Sequence, residues 1–156
     1  MSVVTEAGRV RPARPADAAA LAVLDGLVNL SPWTLAQLEA ACGKGTNSTE
    51  RTLLVEQAGQ VLGFVISTQV LDEACIHNIA VQPSQQGRGH GRSLLCSVLA
   101  AVQRDGASRC YLEVRASNAA ALALYEKLSF QCDGLRKDYY AAPDGREDAV
   151  LMSRPL

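Results

Sequence analysis

The feature that most constrains the fold of this chain is a change of apolar period between residues 74 and 104, across a turn punctuated by Gly87, Gly89 and Gly91. From Ala74 to Val81 the run ACIHNIAV reads as a strand, and it ends at Pro83 because proline cannot donate to a ladder. From Gly91 to Arg104 the apolar positions Leu94, Leu95, Val98, Leu99 and Val102 recur at helical spacing, leaving Arg92 and Gln103 more exposed. A buried strand that passes directly into an amphipathic helix requires layers, with helices lying on a sheet.

The flanking segments fit the same architecture. Val3 to Arg11 predicts a short edge strand, closed by Pro12 and Pro15 before an alanine-rich helix from about Asp17 to Val28. SPWTLAQLEAAC predicts a second helix, with Ser31 as the cap, Pro32 in the first turn and Leu35, Leu38 and Cys42 near helical spacing. Gly43 to Glu50 is small and polar and is expected to be a mobile loop. Arg51 to Glu56 and Val61 to Val70 form a hairpin that turns at Ala58-Gly59.

After the glycine turn and its helix, Arg109 to Val114 returns to a strand and Asn118 to Leu128 to a helix. Phe130 onward reads as a strand, then a loop at Pro143-Asp144-Gly145, then a last strand around Asp148 to Met152. The expectation is an α/β (α+β) fold, a mixed and mostly antiparallel sheet flanked by helices. With no repeat, linker or low-complexity tail, residues 1 to 156 are expected to form a single domain.

Composition narrows the function. Fifteen basic and sixteen acidic residues leave a net charge of -1, so no broad cationic surface signals direct nucleic-acid binding. The five cysteines form no CxxC pair, and their odd number argues against a disulfide framework and for a reducing, intracellular setting. The run to Arg14 carries no apolar signal-peptide core, and later apolar stretches are too interrupted to cross a bilayer. A soluble cytoplasmic protein without a membrane partner is expected.

The segment IAVQPSQQGRGHGRSLL has the parts of a phosphate site. Its glycines permit tight turns and close backbone approach, free amides at the helix start can receive a pyrophosphate, and Arg88 and Arg92 can add charge-assisted bonds. The same residues also suit a plain β-to-α turn with basic side chains in solvent. The spacing is neither GxGxxG nor a loop ending in GK[ST], so neither common nucleotide motif applies.

Gln86-x-x-Gly89-x-Gly91 resembles the pyrophosphate signature of the Gcn5-related N-acetyltransferase (GNAT) superfamily. LEVRASNAAALALYEKLSF, DYY and DGREDAVLM, in that order, closely resemble its bacterial ribosomal-protein-alanine N-acetyltransferase branch, from the segment around Trp33 through Met152. That resemblance implies the GNAT acyl-CoA N-acyltransferase fold, acetyl-CoA as co-substrate and no metal. It implies the N-terminal tail of small-subunit ribosomal protein 18 as partner, acetylated at its first alanine by direct attack.

Carried over residue by residue, the resemblance makes Glu113 the general base and Tyr125 the general acid. It sets the backbone of Ile79, Ala80 and Val81 against the acetyl-pantetheine arm, Gly87, Arg88, Gly89, His90, Gly91 and Arg92 around the pyrophosphate, and Asn118 beside the arm. It puts Trp33, Asp138, Tyr139 and Tyr140 near the acceptor peptide. Taken alone, these side chains suit blander roles: Glu113 facing solvent or pairing with Arg115, Tyr125 packing at a rim, Asn118 capping a helix, and the aromatics packing in core or rim.

The chain departs from the family pattern at Gly87, where an arginine is frequent, at Ser129 for glycine and at Ala141 for proline. These changes bear on loop geometry and cofactor affinity rather than on the chemical pair. His77 and His90 have no metal-ligand spacing, and Cys75 and Cys110, with apolar flanks, read as buried thiols rather than nucleophiles. An acetyltransferase with another acceptor, such as a lysine or a small amine, and a noncatalytic module that retained the cofactor cleft are the alternatives.

Overall fold

The computed structural model describes residues 8–43 and 49–156. In chain order the elements are β1 (Arg9–Pro12), a 3-10 turn (Pro15–Asp17), α1 (Ala18–Val28), α2 (Leu35–Cys42), β2 (Glu50–Gln57), β3 (Gln60–Val70) and β4 (Glu73–Val81). A second 3-10 turn (Pro83–Gln85) leads into α3 (His90–Arg104), followed by β5 (Arg109–Arg115), α4 (Ala119–Lys127), β6 (Gln131–Ala142) and β7 (Gly145–Pro155). The strands hydrogen-bond in the order β1-β2-β3-β4-β5-β7-β6, with β4 and β5 parallel and β1/β2, β5/β7 and β6/β7 antiparallel. This is the mixed, mostly antiparallel sheet with helices that the GNAT resemblance implied. Among the described residues no helix is long and apolar enough to cross a membrane.

Two compact units separate along the chain. One comprises Met1–Ser67 with Asn78–Val98, the other Thr68–His77 with Leu99–Leu156. In the first, Leu21 and Leu24 of α1, Leu38 and Cys42 of α2, and Leu54, Phe64 and Ile66 of the sheet form a dry core, with Trp33 packed against it. β3 is buried continuously from Leu62 to Ser67, as a strand covered on both faces should be. Its backbone also comes close to β4: a side chain at Gly63 would sit 2.8 Å from the Ala80 carbonyl oxygen.

Local chemistry explains most boundaries and corrects two. The hairpin turns at Ala58 (φ 51°) and Gly59 (φ 77°), both left-handed, as the twist-matched two-residue turn requires. α2 is capped by Thr34 rather than Ser31. The Thr34 hydroxyl accepts from the Gln37 amide (3.1 Å) while the Gln37 side chain accepts from the Thr34 amide (2.9 Å), a closed capping box. The Trp33 amide is engaged elsewhere, by Asp25, so the helix starts beyond it.

β1 runs to Pro12, an edge position that tolerates a missing donor. The expected strand residues 3 to 7, and residues 44 to 48 of the expected mobile loop, lie outside the described residues.

In the second unit the parallel ladder pairs Glu73↔Arg109 through Ile76↔Leu112, and β5 pairs with β7 from Arg109↔Pro155 to Arg115↔Ala149. β5 alternates cleanly: Cys110, Leu112 and Val114 point into the core, whereas Tyr111 and Glu113 occupy the opposite face. β7 is longer than expected from sequence, beginning at Gly145 and ending at Pro155, because pairing with β6 draws the polar Arg146 and Glu147 into the ladder at one end and pairing with β5 carries it to Pro155 at the other. β6 slips register between Arg136↔Ala149 and Tyr140↔Glu147, so that Lys137, Asp138 and Tyr139 oppose Asp148 alone.

Candidate active site

In the first unit, β4 delivers the chain to the glycine turn. Ala80 is buried while Ile79 and Val81 are half-buried, and the Gln86 side chain donates to the Val81 carbonyl oxygen (3.1 Å), tying the turn back to the strand end. Gly87 (φ 78°) and Gly89 (φ 89°) hold left-handed conformations, and a side chain at either would meet nothing within 4 Å. Backbone conformation therefore favours glycine there, and the space beside the turn is open.

Gly91, grouped with them from sequence, instead lies in the first turn of α3. The Ser93 amide makes the first bond of that helix, to the Gly89 carbonyl (3.0 Å), so the amides from Gly89 to Arg92 precede the intrahelical ladder. Arg88 and Arg92 are exposed beside them and His90 is half-buried. Open space, amides that precede the helical ladder and two exposed cations form a set suited to a pyrophosphate.

The second unit contains a cleft of about 660 Å³ whose walls include Cys75, His77, Tyr111, Glu113, Arg136, Tyr139 and Tyr140, with Leu151 and Met152 from β7. Three residues singled out from sequence, Glu113, Tyr139 and Tyr140, thus line one cleft. Glu113 is one-third exposed and faces the Arg136 guanidinium at 3.4 Å. Arg136 also lies over the Tyr139 ring (5.2 Å), Tyr139 meets Tyr140 edge to face (4.9 Å), and Arg115 covers Tyr140 (4.5 Å). Arg115 is held in turn by Glu147 (2.8 Å) and the Ala141 carbonyl (2.7 Å). The ion pair that Glu113 makes is with Arg136 of β6, while Arg115, offered from sequence as one bland partner, is bound by Glu147.

Asp138 enters through its main chain. It adopts a left-handed conformation (φ 51°), donates its amide to Asp148 (2.9 Å) and accepts from Arg146 (2.7 Å), fixing the bulge that presents the two tyrosines. Trp33 belongs to the core of the first unit, half-buried, with its amide on Asp25 (2.8 Å). The Asn118 side chain accepts from the Ala121 amide (3.2 Å), so its capping role is real and its amide nitrogen is a separate group.

Tyr125 is deeper than a rim residue, only 4% exposed and packed on Phe130 with ring centroids 5.8 Å apart. Burial, reinforced by Tyr140 and Cys110, raises its phenol well above the ordinary tyrosine range, so it keeps its proton at neutral pH. Burial, then Glu113, likewise raises Tyr140.

Burial holds three of the cysteines as thiols. Burial pushes Cys42 up to about 11 and Cys110 up to about 12, and burial followed by Glu113 raises Cys75. A group held protonated by the fold contributes stability that is complete below its unfolded pKa and is lost as pH rises through the folded value. With unfolded thiols near 9, urea midpoints should be level from pH 7 to about 8.5 and fall from there toward pH 11. A midpoint that rises over that interval would contradict the burial of both thiols. His77 is bonded to Thr68 (2.6 Å), and among the described residues no group of three or more His, Cys, Asp or Glu is placed to hold a metal.

Sequence reasoning missed Arg136, the residue that faces Glu113, and Tyr111, which alternation on β5 would have placed beside Glu113 on the same face. It also missed Asp25 and Asn78, whose contacts join segments distant in sequence.

The sequence model of the acetyltransferase (GNAT) family matches residues 22–130. The chain is 46% identical over 113 residues, 71% of its length, to the [ribosomal protein bS18]-alanine N-acetyltransferase of Escherichia coli strain K12, 76% of which is covered. The crystal structure of the ribosomal-protein-S18-alanine N-acetyltransferase from Escherichia coli is similar with a TM-score of 0.87 and 35% identity, covering 96% of this chain and 94% of that one. The Arabidopsis thaliana NAA60 crystallised with acetyl-CoA shares the fold at 18% identity and a TM-score of 0.85, over 96% of this chain and 99% of that one.

Proposed function

The chain belongs to the GNAT acetyltransferase family, and from that premise we propose that it transfers the acetyl group of acetyl-CoA to the N-terminal alanine of ribosomal protein bS18. The observation that carries the acceptor is the likeness over most of the chain to an enzyme named for it. The cleft that contains Glu113 supplies chemistry of the required kind.

Acetyl-CoA brings the activated thioester, and the residues of this chain do the rest. The open turn at Gly87 and Gly89, the amides that precede the α3 ladder and the cations Arg88 and Arg92 suit the pyrophosphate, with His90 and Gly91 in the same turn. Gly87 carries no arginine, so the neighbouring Arg88 takes that charge contact. Main-chain groups of Ile79, Ala80 and Val81 hold the pantetheine arm, and Asn118 offers the side-chain amide nitrogen not used by its cap.

The acceptor arrives as an α-ammonium with a pKa of about 8, of which roughly a tenth is neutral at pH 7. Glu113 takes a proton from this amine, directly or through a water, so that nitrogen can attack the thioester carbonyl carbon. As the C–N bond forms and the C–S bond breaks, Tyr125 gives its proton to the departing thiolate sulfur, and the proton still carried by the acylated nitrogen returns through water to the phenolate, leaving a neutral amide. Tyr139 and Tyr140 give the peptide aromatic faces held by two arginines, Trp33 packs its first residues, and the Asp138 carboxylate favours a basic tail. Reaction in the cytoplasm accords with a ribosomal acceptor and with the five free cysteines.

The test is acetyl transfer to a synthetic peptide beginning with the mature bS18 N-terminus, read by intact mass. One added acetyl on the free-alanine peptide is expected, with none on an N-terminally blocked peptide and much less on one with a bulky first residue. Folded protein that binds acetyl-CoA but leaves the free peptide unmodified, while acetylating lysine peptides or small amines, would replace the acceptor and keep the reaction.

A further inference from the structure

We propose that Asp25 is a positioning residue for the acceptor, its buried carboxylate locking the main chain at Trp33 to strand β4. The inference rests on the reading of Trp33 as an acceptor contact. Asp25 lies near the end of α1 and is 0% exposed. One carboxylate oxygen accepts from the side-chain amides of Asn29 and of Asn78 (3.1 Å), and the other accepts from the Trp33 main-chain amide (2.8 Å). The Asn29 amide also donates to the Asn78 side-chain oxygen (3.0 Å), closing a network across three segments.

The polarity of the network identifies what the carboxylate does. Both Asp25 oxygens act as acceptors here, so the side chain dictates the orientation of both asparagine amides and receives a backbone donor at the same time. Each donor is neutral, so the group serves as a many-handed acceptor rather than half of an ion pair. A neutral amide at position 25 would turn its own NH2 toward one of these donors, leaving two donors facing each other and the Trp33 amide or the Asn78 amide unsatisfied.

Between α1 and α2, Leu30 is 61% exposed and Ser31 and Pro32 are exposed, whereas Trp33 is half-buried, and the bond from its amide to Asp25 fixes the main chain where the exposed stretch meets α2. Asn78, the anchor at the other end, directly precedes Ile79 on β4. Loosening the clasp therefore frees the Trp33 main chain while leaving β4 held by its own ladder. The consequence falls on acceptor affinity, not on the acetyl donor or on the chemical groups.

The experiment compares steady-state kinetics of wild type, Asp25→Asn, Asn78→Ala, Trp33→Ala and the double variant Asp25→Asn/Trp33→Ala on the free-alanine bS18 peptide. Asp25→Asn should raise the peptide KM about tenfold, with kcat and the acetyl-CoA KM within about twofold, and the double variant should be no worse than Trp33→Ala because both act through one contact. Asn78→Ala, which keeps the carboxylate and its bond to Trp33, should raise the peptide KM by about threefold and serves if Asp25→Asn does not fold. A merely structural role would lower kcat with the folded fraction and leave the peptide KM unmoved. That result, or effects of Asp25 and Trp33 that multiply, overturns the proposal. Wild type that leaves the peptide unacetylated overturns instead the functional reading beneath it.

Discussion

Glu113→Gln should lower kcat on the free-alanine peptide at pH 7 by about a hundredfold or more, the usual range for loss of a positioned general base. The substitution keeps shape and sits on the open face of β5. What it breaks structurally is a partly exposed pair with Arg136 at 3.4 Å, worth no more than about 1 kcal/mol. The deficit has a signature. An N-terminal amine loses its proton unaided above its ordinary pKa of about 8, so the gap between variant and wild type should narrow as the assay moves from pH 7 to pH 9. Rates followed by release of free coenzyme A thiol across that interval decide the matter. A variant with wild-type kcat at pH 7 removes Glu113 from the mechanism, and a gap that stays constant with pH assigns it to orientation rather than proton removal.

Tyr125→Phe should also cost about a hundredfold in kcat, with the acetyl-CoA KM nearly unchanged, because the lost group acts on the leaving sulfur and not on binding. Phenylalanine fits the space of a ring that is 4% exposed and packed on Phe130, so folding should be preserved to within about 1 kcal/mol. Burial keeps the phenol protonated far into the alkaline range, which predicts no loss of wild-type activity from Tyr125 below about pH 10. Unchanged turnover in the phenylalanine variant would return Tyr125 to a packing role and leave the thiolate to be protonated by water.

These two residues also show how much of the site could be read in advance. Tyr125 and Glu113 were identified by motif, and the alternation of RCYLEVR already put Glu113 on the face opposite Cys110, Leu112 and Val114. The depth of Tyr125 was not legible, because its helix, Ala119–Lys127, is apolar on most sides and its periodicity alone does not say which side is covered. Arg136 was not read in advance as the partner of Glu113, since the neighbour along the strand is Arg115, which Glu147 on β7 binds.

By itself the sequence determined the order and type of the elements, the strand-to-helix turn with its glycines Gly87 and Gly89, and the candidates Glu113 and Tyr125 for the reacting side chains. All of these depend on residues close together in the chain, where periodicity, proline, glycine and capping chemistry act over a few positions. Tertiary structure alone decided the lengthened β7, the bulge at Lys137 to Tyr139, the arginine that faces Glu113 and the clasp around Asp25. Each of these joins groups far apart in sequence, Asp25 with Asn78 and Glu113 with Arg136 among them. A hydrogen bond or ion pair between distant segments follows from which strand pairs with which and in what register, and no local pattern carries that information.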